Sequence, residues 1–160
     1  MTLKVICTEG VVIEEDLLNK FTQAFKLISK EEDLDDNASI NIKIIKDKEM
    51  LNLNNHFRNK ESSTNVLSFT NEDISKSITG NLGDIAINYD YILEESNEQN
   101  KTFNDHMIHM LIHGIYHILG FDHEDDKVAH IMERKEVTLL NKLNITCLLY
   151  TSDAADEHRR

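Results

Sequence analysis

The sequence predicts an α+β fold, a small mixed β-sheet packed with helices. Three observations predict it. Short apolar runs that suit strands fall in the first half of the chain, two long stretches with helical character fill the second half, and no repeat or low-complexity tract breaks the order. The chain has 160 residues, enough for one domain with a real core and too few for two comfortable ones. We read residues 1–146 as a single domain and 147–160 as a tail.

The elements follow in chain order. Leu3–Cys7, LKVIC, reads as the first strand. VVIEEDLLNKFTQAFKLISK then carries Leu17, Leu18, Phe21, Phe25 and Ile28 at helical spacing. KEEDLDDNAS is a polar break. SINIKIIKD places Ile40, Ile42 and Ile44 on one face of a half-buried strand. DKEMLNLNNHFR is a short helix opened by Asp47, and NKESST is a loop. NVLSF and GDIAIN read as strands, with Gly80 and Gly83 flanking Asn81 between them. LEESNEQNK is a polar connection between helices. Thr102 to Leu119 is a strong helix, and Asp126 to Leu143 another.

Hydrophobic residues make up 40% and charged residues 29%, an ordinary globular mix. No apolar run approaches the ~20 residues that span a bilayer. The first residues lack a basic flank, an apolar stretch and a small-residue cleavage site, so the expected compartment is the cytoplasm. The net charge of −12 disfavours non-specific binding to nucleic acid, DNA included, or to an anionic membrane across the whole surface. It leaves room for a local basic groove, since Lys and Arg total 17. Cys7 and Cys147 are too few for a disulfide framework, and Cys7 in its apolar run reads as a small core residue. The stretch CLLYTSDAADE, Cys147 to Glu157, resembles the translation of a transposase sequencing-library adapter. The expectation is a native sequence that ends near Thr146, with no function carried by Cys147 or His158.

The chemistry concentrates in HGIYHILGFDH. His113 and His117 are four apart on a predicted helix, so both imidazoles lie on one face, one turn apart. Gly120 sits where the helix should stop and accepts the left-handed conformation that turns the chain. That turn can bring His123 back over the first two histidines. Three such ligands suit one zinc ion and leave a coordination position for water, whose pKa bound zinc lowers to about 7. His106 and His109 lie upstream on the same helix and read as solvated or capping side chains, with His109 also within reach as an outer support for the site. His56 and His130 have no spacing to argue from. Glu124, Asp125 and Asp126 read as acids at the start of the next helix, and Asp122 suits either that role or orienting a ligand.

The spacing of the three histidines and the glycine is that of the metzincin proteases, H-E-x-x-H-x-x-G-x-x-H. Gly114 stands where those enzymes carry their glutamate base, which argues against peptide hydrolysis. A fuller match lies elsewhere. HGIYHILGFDHEDD resembles the signature of the YbeY family of metal-dependent endoribonucleases, which act in ribosomal RNA maturation. LNNHFRNKESSTNVLSF, LGDIAI and MERKEVTLLNKL match further stretches of that family in the same order.

The resemblance implies a zincin-like fold with the three-histidine metal site on a central helix and the following turn. It implies that His113, His117 and His123 bind zinc and that Arg58 lies in the active-site groove. A guanidinium offers a planar fork of donors that matches phosphate, so Arg58 is the expected catalytic residue that holds the scissile group. Ser68 and Thr64 read as structural hydroxyls and Lys60 as a solvated lysine, and Asp84 has no assigned role. The implied function is single-strand-specific cleavage of RNA in small-subunit ribosomal RNA 3′-end maturation and ribosome quality control. The implied partners are ribosomal RNA and the ribosome or its proteins. Whether water or the ribose 2′-hydroxyl attacks is open, and so is the general base. Two alternatives stand beside this reading: a zinc peptidase, and a non-catalytic module that zinc braces and that docks on ribosomal proteins. Three protein ligands rather than four argue against a closed bracing site.

Overall fold

The computed structural model describes residues 2–71, 80–121 and 125–145. Its elements run β1 (Thr2–Cys7), α1 (Glu15–Glu31), β2 (Ser39–Ile45), α2 (Asp47–Arg58), β3 (Val66–Thr70), β4 (Asn81–Asn88), α3 (Tyr89–Glu98), α4 (Phe103–Ile118) and α5 (Asp126–Lys142). The sheet has the order β1-β2-β4-β3. The first three of these strands are parallel, and β3 adds to the edge antiparallel to β4. This is the small mixed sheet expected of an α+β chain.

The sheet is covered on both faces, unequally. Ile40, Ile42 and Ile44 of β2 and Ile85 and Ile87 of β4 join the main core with α1, α4 and α5. Helix α1 turns Leu17, Phe21, Ala24, Phe25 and Ile28 into it, the three-to-four spacing of one helical stripe. Ile45 points the other way and forms a second, smaller core with Met50, Leu67 and Ala86 beneath α2. The half-buried strand expected at β2 is therefore a central strand that contributes to both cores.

Helix α4 is the centre of the molecule. Residues from His106 to Tyr116 are buried on every side, as a helix enclosed by other elements must be. Thr102 caps it by accepting the Asp105 N–H at 3.1 Å. Its far end closes as the sequence predicts. Gly120 has φ of +106°. Its N–H reaches His117 O at 3.1 Å, and the Phe121 N–H reaches Tyr116 O at 3.1 Å. Those two bonds make a Schellman turn, and the Tyr116 and Phe121 rings pack edge to face beneath it, 5.8 Å apart.

One expectation needs correction. The stretch LEESNEQNK is not all connection: Leu93–Glu98 completes α3. Ile92 and Ser96, four apart, are buried on its inner side, and Asn88 caps it by accepting the Tyr91 N–H at 3.2 Å. Asp47 begins α2, as expected, and its own N–H donates to Asp90 Oδ2 of α3 at 2.9 Å. At α5 the cap is Asp125, which accepts the Lys127 N–H at 2.8 Å, as its position predicts. Cys7 packs partly against the core, and that burial pushes its thiol pKa up. No helix among the described residues is long and apolar enough to cross a membrane. The tail 147–160 lies outside the described residues.

Candidate functional site

His113 and His117 project from neighbouring turns of α4, with ring centroids 6.1 Å apart. His113 is 4% exposed, whereas His117 is exposed. The pair thus spans the boundary between core and solvent. His123 lies outside the described residues, as do Asp122 and Glu124. The Schellman turn at Gly120 lies between His117 and that segment.

Behind His113 runs a buried polar network that sequence reasoning missed. Glu136 of α5 is 4% exposed and has its Oε2 3.0 Å from His113 Nδ1. Its Oε1 lies 2.8 Å from His109 Nε2. On the other side of His109, Nδ1 is 3.4 Å from Lys101 Nζ. The same ammonium lies 3.1 Å from His106 Nδ1, and His106 Nε2 lies 2.9 Å from Glu95 Oε1. Asn65 Nδ2 donates to that Glu95 oxygen at 3.1 Å. His106 and His109 are buried members of this network rather than solvated or capping groups. Two signals for it exist in the sequence. His106, His109 and His113 fall three and four apart on one helix face. Glu136 falls in the stripe Met132, Glu136, Leu139 and Leu140, where a charge is costly unless paired.

The histidine helix lies close to the sheet because of Gly114. A Cβ there would meet Ile85 Cδ1 at 3.1 Å and Ser68 Oγ at 3.2 Å. The Ser68 hydroxyl donates to the Gly114 carbonyl at 3.1 Å. Position 114 therefore faces β3 and β4, and a protease-type glutamate has no room there.

Arg58 ends α2, where Asn59 takes the left-handed conformation at φ of +53°. Its guanidinium is exposed, sits 5.9 Å from the Phe69 ring centroid, and donates from Nη2 to Ser68 O at 3.1 Å. Ser68 thus bonds to the arginine through its carbonyl and to the histidine helix through its hydroxyl. The loop between Arg58 and β3 is fastened from both sides. Asn54 Nδ2 donates to Ser62 O at 2.7 Å, and the fully buried Asn88 uses its Nδ2 toward Thr64 O, Ser63 Oγ and Asp47 Oδ1. Thr64 is buried. Lys60 is exposed. Asp84 accepts from Asn41 Nδ2 at 3.0 Å across the strand pair. It lines a groove on the α2 side of the sheet together with Lys4, Lys43, Phe57 and Phe69. His56 and His130 are exposed, and His56 packs edge to face on Phe57.

At the end of α4, Tyr116 donates its hydroxyl to Glu31 Oε1 at 2.9 Å. Burial, with that bond second, pushes its pKa above the usual phenol range. Lys135 bonds Glu32 Oε2 at 2.6 Å, which raises the lysine pKa, and lies 5.4 Å from the Phe121 ring centroid. These contacts tie α1, α4 and α5 together beside the turn that follows His117.

Residues 6–144 match a family model described as Endoribonuclease YbeY. A protein of that name from Francisella tularensis subsp. tularensis (strain FSC 198) is 38% identical over 144 residues, 86% of this chain and 82% of its own. Another, from Ruthia magnifica subsp. Calyptogena magnifica, is 36% identical over 143 residues, 88% of this chain and 93% of its own. The solution structure of TM1509 from Thermotoga maritima shares the fold with a TM-score of 0.59 at 25% identity, over 89% of this chain and 91% of that one. A family match over nearly the whole domain, joined to two relatives well above 30% identity, leads to one conclusion: the chain belongs to the endoribonuclease YbeY family.

Proposed function

We propose that the chain is a metal-dependent endoribonuclease that cuts single-stranded RNA in ribosomal RNA maturation and ribosome quality control. In this reading His113, His117 and His123 hold one zinc ion and Arg58 holds the scissile phosphate. The observation that carries it is the His113–His117 pair on one helix face, with a buried carboxylate on the inner nitrogen of His113. A carboxylate behind a histidine is the usual support of a zinc-ligating imidazole, so these donors fit the ion. Family membership supports an endoribonuclease acting on RNA.

Bound zinc supplies Lewis acidity toward a phosphoryl oxygen or a water. The chain's own residues do the rest. The exposed guanidinium of Arg58 binds a phosphate through its planar fork, held at one end by the Ser68 carbonyl. A cation–π contact with the Phe69 ring, 5.9 Å from its centroid, adds to that hold. As charge develops on the phosphoryl oxygens, those donors meet it without reorganising. The position after His113 offers no base, since Gly114 is packed on the sheet.

Metal analysis and cleavage of a single-stranded RNA, for the parent chain, His117→Ala and Arg58→Glu, test the reading together. About one zinc per chain and chelator-sensitive cleavage are expected. A purified chain that binds no transition metal would overturn it.

A further inference from the structure

We propose that Glu136 is a positioning residue that fixes the tautomer of His113, and that Lys101 holds His109 in the tautomer that donates to Glu136. This deepens the metal-site reading above and rests on it. An ammonium can only donate and a carboxylate can only accept. Lys101 Nζ lies 3.1 Å from His106 Nδ1 and 3.4 Å from His109 Nδ1, so both of those nitrogens accept. A neutral imidazole that accepts at Nδ1 carries its proton on Nε2. His106 therefore donates from Nε2 to Glu95, and His109 donates from Nε2 to Glu136 Oε1.

The other oxygen of Glu136 is 3.0 Å from His113 Nδ1, and it too can only accept. His113 consequently carries its proton on Nδ1, the opposite tautomer to His106 and His109. Its lone pair is on Nε2, the nitrogen that can ligate a metal. Burial strengthens the assignment. His109, His113 and Glu136 are 3%, 4% and 4% exposed, so a mismatched donor or acceptor there has little water to turn to.

Glu136→Gln separates this from a purely structural role. The amide offers one acceptor and one donor to two imidazoles, so one imidazole must change tautomer. If His109 changed, its Nδ1 proton would face the Lys101 ammonium, donor against donor. Lys101 thus directs the misfit onto His113, whose proton moves to the ligating nitrogen. Zinc affinity should fall about 10–100-fold. Adding Lys101→Met lets His109 take the misfit instead and should restore part of that affinity.

The test uses long-range 1H–15N correlation spectra of the imidazoles in metal-free protein, and zinc titration against a competing chelator. In the parent chain His113 should be protonated at Nδ1, and His106 and His109 at Nε2. An Nε2 proton on His113 in the parent chain overturns the proposal, and this spectrum requires no variant to fold. So does a Glu136→Gln chain that binds zinc within twofold of the parent, or one that Lys101→Met fails to rescue. A parent chain that binds no zinc defeats the metal reading itself. A parent that binds zinc with the wrong tautomer defeats only this inference.

Discussion

The hydroxyl of Ser68 donates to the carbonyl oxygen of Gly114 at 3.1 Å, where α4 packs against the sheet. The missing side chain at 114 permits that approach, with Ile85 waiting at 3.1 Å from where a Cβ would stand. Gly114→Glu, which restores the metzincin pattern, would force a carboxylate into this contact. We expect a loss of about 3 kcal/mol or more, because a charge without a partner is being buried. Chemical denaturation measures it, and a fluorogenic peptide should remain uncut. A folded variant of undiminished stability would show that position 114 does not face the sheet.

Arg58 can be changed without disturbing the fold. It is exposed, and its hydrogen bond to Ser68 goes to a backbone carbonyl at a strand edge. Arg58→Glu should shift stability by about 0.5 kcal/mol or less. RNA cleavage should be abolished, since phosphate now meets a like charge. Thermal unfolding and gel assays of the same preparation distinguish lost function from lost structure.

His117 is exposed on α4, so its role can be probed with little cost in packing. His117→Ala should keep the fold, lose stoichiometric zinc and lose cleavage. Circular dichroism together with metal analysis checks this. Wholesale unfolding would instead favour zinc as a brace.

Acid should loosen the loop that follows Arg58. Hydrogen bonds from Ser63, and then Asn88, hold the Asp47 carboxyl below its ordinary pKa of 3.8. The folded value is thus lower than the unfolded one. The stabilisation is complete above the unfolded value and is lost as pH falls through the folded one. Denaturation midpoints between pH 6 and about 3 should show this loss, and Asp47→Asn should remove its share of the slope.

Asn88 provides a neutral-pH counterpart. Its Nδ2 lies 2.9 Å from Asp47 Oδ1 and 3.1 Å from Thr64 O. Asn88→Asp would set oxygen against oxygen in a fully buried place. We expect a loss of about 3 kcal/mol at pH 7, partly relieved as the acids are protonated. Urea titration at both ends of the range reads the difference.

Periodicity made most of the fold legible. Alternating isoleucines marked β2, the apolar spacing of Leu17 to Ile28 marked α1, and Gly120 marked the end of α4, because each reflects local geometry repeated along the chain. Helix α3 was hidden because only Ile92 and Ser96 of it are buried, too sparse a stripe among acids and amides. The spacing of His113 and His117 likewise puts them on one helix face. One face at that spacing is a property of any helix, so the sequence alone determined it. Tertiary structure decided what stands behind them. Glu136 is 23 residues from His113 along the chain and meets it only because α5 packs on α4. Lys101 reaches His109 only because the chain turns into α4 at Thr102. Periodicity reports which face of an element is buried; which partner a buried polar group finds is settled by packing between elements, where no local repeat records it.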